Sequence, residues 1–191
     1  MFTGLDIWNK NIGIIGFGKI GQRVAKRALG FDMKVIVYDP YVDKKEINRV
    51  GKKVSFENLL TTSDFITLHL PATKDTMQLI SHQEFAMMKD GACVINAAYP
   101  GIVDEQALEE AMEEGKLAGA ALDVPEGKVG ELVFNPQKPL YRDQRIIVTP
   151  FIGAKTEECF VRQIQTVVQD VISVLEGVRP TQEGTVLDCM I

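Results

Sequence analysis

IGIIGFGKIG, residues 12–21, carries an apolar run that ends at Ile15, then three glycines, Gly16, Gly18 and Gly21, at G-x-G-x-x-G spacing. Lys19–Leu29 then continues with apolar residues at helical spacing, so the glycines sit between a strand and a helix. In that setting Gly16 permits a tight turn, Gly18 lets the backbone approach a pyrophosphate, and Gly21 allows close helix–strand packing. The backbone of Gly16, Phe17, Gly18, Lys19, Ile20 and Gly21 is therefore the expected anion cradle, at a helix N-terminus whose N–H groups need partners. This chemistry is binding, not catalysis.

The next apolar run, Lys34–Tyr38, ends in Asp39, 21 positions after Gly18. A carboxylate there can accept hydrogen bonds from both ribose hydroxyls of NAD and would repel a 2′-phosphate, which predicts NAD over NADP. Lys44 and Lys45 follow Pro40 in the next helical segment and read as a solvated face. Further out, strands are expected at Ile12–Ile15, Lys34–Tyr38, Asp64–Leu68, Ala92–Asn96, Ala118–Leu122 and Ile146–Thr149. Helices alternate with them, including Asp104–Glu114 and a long Lys155–Glu176 with a broad apolar face. The class is α/β, with a doubly wound parallel sheet of the Rossmann kind. Pro125–Arg145, rich in Gly, Pro and charge, reads as a surface loop.

Composition narrows the partners. The 191 residues suit one well-buried core, and 26 acidic against 21 basic side chains give a net charge of −5 with no basic run, which argues against nucleic acid. No apolar stretch approaches the roughly 20 residues of a membrane span, and the opening MFTGLDIWNK lacks a signal-peptide pattern, so the expectation is a cytoplasmic protein with no membrane partner. Three cysteines (Cys93, Cys159, Cys189) without CxxC spacing and two histidines predict neither metal nor disulfide.

Four further blocks stand in order along the chain: Leu68-His69-Leu70-Pro71, NAAYPGIVDE (Asn96 to Glu105), GAALDV (Gly119 to Val124) and TPFIGAKT (Thr149 to Thr156). With the glycine turn, they make the chain resemble the D-isomer-specific 2-hydroxyacid dehydrogenases, in particular the phosphoglycerate dehydrogenase-like branch. The resemblance implies that NAD is the cofactor, that Asp39 and Pro40 lie at the adenine ribose, and that Ala97 and Ala98 offer backbone near the nicotinamide. Asp123 would lie by the carboxamide. His69 and Pro71 join the cofactor set from their place in the LHLP block, although His69 and His82 on their own read as structural. The resemblance also implies a homodimer, a partner list of NAD(H) and a small 2-hydroxy or 2-oxo acid, and residues 1–180 as the cofactor domain. Residues 181–191 would be the stub of a return to a substrate domain that the chain mostly lacks.

The catalytic positions depart from the family pattern. Where the resemblance places an arginine, a glutamate and a histidine, this sequence has Tyr99, Lys128 (with Glu126 or Glu131 possible through loop gaps) and Phe151. A tyrosine cannot form a charged bidentate clamp on a carboxylate, and a phenyl ring cannot take a hydroxyl proton. The expectation is a cofactor-binding domain with impaired catalysis. Two alternatives stay open: an active oxidoreductase in which Lys128 lowers the pKa of Tyr99, and a non-catalytic nucleotide-binding or dimerising protein using the long helix or the Trp8 region.

Overall fold

A computed structural model of the chain describes residues 4–123 and 137–178. The chain divides into two compact units, Met1–Pro150 and Phe151–Ile191, each described here by itself. The first holds a seven-stranded, all-parallel sheet. Its strands are β1 (Asn11–Ile15), β2 (Lys34–Tyr38), β3 (Lys52–Lys53), β4 (Phe65–Leu68), β5 (Ala92–Asn96), β6 (Leu117–Leu122) and β7 (Ile146–Val148), in the order β3-β2-β1-β4-β5-β6-β7. The helices between them are α1 (Lys19–Gly30), α2 (Lys44–Ile47), α3 (Phe56–Thr62), α4 (His82–Met87) and α5 (Glu105–Glu113).

The central strands are apolar throughout because both faces are covered. Ile12 and Ile14 of β1 join Ala25, Ala28, Val35 and Val37 in one cluster, whereas Ile15 joins Leu59, Leu60, Ile66, Leu108 and Val94 in the other. Successive residues of a strand point to opposite faces, so β1 alone contributes to both cores.

Six strands were expected and seven are present among the described residues. The extra one, β3, is only Lys52-Lys53 at the sheet edge, and it carries no apolar signal because its contribution is a backbone ladder to Ile36 and Val37 of β2. The loop expected over Pro125–Arg145 falls partly outside the described residues. Its later part contains a short 3-10 turn, Pro139–Arg142, with Leu140 buried. That turn is tied to α5 through Glu105, whose Oε2 accepts from Lys138 Nζ and from Tyr141 Oη, each at 2.6 Å.

At the edge where β1 and β4 begin, Asp64 joins their starts: its Oδ2 accepts the Asn11 N–H at 2.8 Å and its Oδ1 faces the Lys89 ammonium. Burial alone would raise this carboxyl's pKa, but the Lys89 hydrogen bond and charge, with the Asn11 N–H, hold it below the ordinary value. In the second unit, α6 (Glu157–Leu175) starts at Thr156, whose hydroxyl accepts the Cys159 N–H at 3.1 Å. Phe160, Ile164, Val167, Val171 and Val174 of α6 are exposed, while Asp170 and Ser173 are its buried residues. No helix among the described residues is long and apolar enough to cross a membrane.

Gly13, in the middle of β1, sets how closely α3 can approach. A Cβ at this position would lie 2.7 Å from Leu59 Cδ2 and 2.8 Å from Leu59 Cγ, and would also strike the Ser63 hydroxyl. Gly13→Ala is expected to destabilise the fold by roughly 1–3 kcal/mol, read as a lower urea midpoint with an unchanged slope.

Candidate functional site

The sheet order reverses between β1 and β4, whose chains leave in opposite directions, and that opens a crevice outside the carboxyl ends of the strands. The sequence-derived candidates of the first unit gather along this edge. The glycine turn follows β1, Asp39 follows β2, His69 follows β4, Ala97 and Ala98 follow β5, and Asp123 follows β6. From Asp39 to Asp123 is four strand spacings, on the order of 19 Å, a span that suits an extended dinucleotide.

The three glycines of the turn serve different ends. Gly16 has φ +91°, and a Cβ there would strike the His69 carbonyl oxygen. A Cβ on Gly21 would strike the carbonyl of Gly16, so this residue lets α1 close onto the turn. Gly18 is the opposite case, with nothing within 4 Å of a Cβ position. It is the residue through which a ligand can reach the backbone. No side chain caps the α1 N-terminus, and its first turn carries no acidic residue. An anion is the chemical complement of such an end, so the residues present fit a dinucleotide pyrophosphate.

Asp39 is buried, and its carboxylate accepts from the Phe17 N–H at 2.8 Å, the Tyr41 N–H at 2.8 Å and the Val42 N–H at 3.0 Å. Pro40 beside it is exposed. At the end of β5, Asn96 is buried and shapes the next turn. Its Oδ1 accepts the Ala98 N–H at 3.1 Å, its Nδ2 donates to the Tyr99 carbonyl at 3.0 Å, and its own carbonyl accepts the Asp123 N–H at 3.0 Å. Asp123 Oδ1 in turn accepts the Thr149 hydroxyl at 2.6 Å. Asn96 and Thr149 were not singled out from the sequence. The available signal was a polar residue closing an otherwise apolar strand.

His69 lies at the end of β4, partly buried, with Nε2 3.0 Å from the Thr67 hydroxyl. Its Nδ1 has no hydrogen-bond partner among the described residues. Burial pushes its pKa down to about 4, so the ring is neutral near pH 7. Pro71 is exposed and its carbonyl accepts the Thr76 hydroxyl at 2.6 Å.

Of the three positions at which the resemblance expects catalytic groups, only Tyr99 belongs to the described part of the first unit, where it is partly buried against the core. Phe151 belongs to the second unit, is 43% exposed and has φ 54°, a left-handed conformation unusual for a bulky residue. Lys128, with Glu126 and Glu131, lies outside the described residues. Among the described residues no group of three or more His, Cys, Asp or Glu side chains could hold a metal.

Comparison with known proteins agrees with this geometry. Residues 1–153 match the family model described as "D-isomer specific 2-hydroxyacid dehydrogenase, NAD binding domain". The chain is 42% identical over 177 residues to a D-3-phosphoglycerate dehydrogenase of Archaeoglobus fulgidus, covering 92% of this chain and 33% of that protein. It is 39% identical over 181 residues to a glyoxylate reductase of Thermococcus litoralis, covering 94% of this chain and 53% of that one. Among solved structures, a D-isomer specific 2-hydroxyacid dehydrogenase of Lactobacillus delbrueckii in an NAD-complexed form matches with a TM-score of 0.83 at 28% identity, covering 94% of this chain and 57% of its own. The chain thus spans between a third and a little over half of the length of these relatives.

The neutral state of His69 has a consequence for stability. Its folded pKa of about 4 lies below the ordinary imidazole value of 6.5, so an unfolded chain binds the proton more readily. The contribution is fully present above pH 6.5 and is lost as pH falls towards 4. Denaturant midpoints measured from pH 7 to pH 4 should therefore fall more steeply for the wild type than for His69→Asn, whose amide does not titrate.

Proposed function

From the premise that this chain belongs to the D-isomer specific 2-hydroxyacid dehydrogenase family through its NAD-binding domain, we propose that it holds NAD in preference to NADP and that the family's catalysis is impaired in it. The observation that supports the binding half is the glycine turn: Gly18 open to solvent at an uncapped helix N-terminus, with the Asp39 carboxylate beside it. NAD, when bound, supplies or accepts the hydride. In this reading the turn receives the pyrophosphate, with the backbone of residues 16–21 as its cradle, and Asp39 with Pro40 lies at the adenine ribose, where its charge disfavours a 2′-phosphate. The Ala97 and Ala98 backbone, held by Asn96, and Asp123, held by Thr149, bound the nicotinamide end. His69 and Pro71 border the crevice from the β4 side.

The catalytic half of the proposal rests on chemistry. A small 2-hydroxy or 2-oxo acid needs a cation for its carboxylate and an acid–base group for its hydroxyl; neither Tyr99 nor Phe151 is a cation, and the Phe151 ring has no proton to exchange. Residues 1–180 act as the cofactor domain in this reading, and two copies pair as a homodimer.

Calorimetric titration tests the first half: NAD should bind at least about tenfold more tightly than NADP. Equal affinities, or no binding of either, would remove the cofactor assignment. On the same sample, NADH with a panel of 2-oxo acids should show no oxidation above the rate without protein. Turnover of any acid would instead favour a chemistry built on Tyr99 and Lys128.

A further inference from the structure

We infer that Asp39 is a positioning residue for the phosphate-binding turn as well as a ribose acceptor. Its carboxylate clasps the turn to the end of β2. The proposal deepens the cofactor reading above and rests on it for the ribose part.

The β1–β2 ladder pairs Ile15 with Tyr38, and its last backbone bond outward runs from the Gly16 N–H to the Tyr38 carbonyl at 2.9 Å. At the following residue the partner changes in kind, because the Phe17 N–H donates to Asp39 Oδ2 at 2.8 Å in a buried setting. A side chain continues the ladder where β2's backbone has turned away into Pro40. Phe17 is held at its other groups too. Its ring is 1% exposed within the α1-side core, and its carbonyl accepts Gln22 Nε2 at 3.2 Å. The N–H, the carbonyl and the ring of this one turn residue are thus all fixed.

The acceptor count limits what the ribose can receive. A carboxylate offers about four acceptor positions. Three are taken, Oδ2 by Phe17 and Oδ1 by Tyr41 and Val42. By that count a position on Oδ2 remains for the ribose. The same oxygen that holds the turn then meets the ribose, so the shape of the phosphate cradle and the recognition of the sugar are coupled through one atom.

This arrangement separates asparagine from aspartate. A ribose hydroxyl can donate to an amide oxygen or accept from an amide NH2, so a side chain serving only the ribose tolerates Asp39→Asn. A clasp does not. Whichever way the amide is turned, its NH2 faces either the Phe17 N–H or the N–H groups of Tyr41 and Val42, donor against donor.

The test has one arm without ligand and one with. Amide hydrogen exchange followed by NMR on the ligand-free wild type should show the Phe17 amide strongly protected. In Asp39→Asn it should exchange at least about tenfold faster, while amides within β1 and the middle of α1 keep their wild-type rates. Titration should then show Asp39→Asn weakening NAD by roughly tenfold or more, the scale of one charge-assisted hydrogen bond, and weakening by a similar factor an NAD analogue whose adenine ribose is 2′,3′-dideoxy. An unprotected Phe17 amide in the wild type overturns the clasp, and so does a variant that loses affinity for NAD alone and binds the dideoxy analogue as the wild type does. If the variant does not fold, the wild-type exchange rate of Phe17 decides. A wild type that binds neither ligand defeats the cofactor reading and the ribose half of the inference, and the exchange arm, which needs no ligand, still decides the clasp.

Discussion

Where the chain leaves β1, Gly16 lies so close to the carbonyl of His69 that no side chain can stand between them. That approach brings the exits of β1 and β4 together, although the two strands are separated in sequence by three helices and two strands. Because the order of the sheet reverses there, the backbone of the glycine turn is presented at the mouth of a crevice and not buried under a crossover. The rest of the site takes its position from this constraint. The left-handed Gly16 aims the chain into α1, Gly21 lets α1 close onto the turn, and Asp39 comes alongside because β2 is the other neighbour of β1.

Asn96 supports this framework from the end of β5. Its side-chain amide shapes the turn after β5 through the backbone of Ala98 and Tyr99 alone. These two bonds involve backbone groups and not the side chain of Tyr99, which packs partly buried against the core. Asp123 is held by the Thr149 hydroxyl and, at its N–H, by the Asn96 carbonyl.

Most of the sheet was readable because parallel strands buried on both faces are continuous apolar runs, and helices such as α1, α5 and α6 were marked by apolar spacing or, at Asp104, by a cap. α3 escaped because Phe56–Thr62 is only seven residues long and half polar, and β3 escaped because two lysines at an edge contribute only backbone. Leu140, within an expected surface loop, is buried because Glu105 draws Lys138 and Tyr141 onto α5. That contact joins residues more than thirty positions apart and leaves no local trace.

The sequence by itself determined the class of fold, the phosphate-binding turn, the acid at the end of the second strand and the family. These depend on short-range patterns: glycine spacing, strand-length apolar runs and helix caps. Tertiary structure alone decided that Asp39 is buried with three backbone donors on its carboxylate, that His69 is held neutral with no partner for Nδ1 among the described residues, and that Asn96 and Thr149 support the residues expected to do the binding. The physical reason is that hydrogen-bond saturation and desolvation are set by whatever the fold brings to a group from distant segments, and no spacing along the chain encodes how many donors will meet one oxygen.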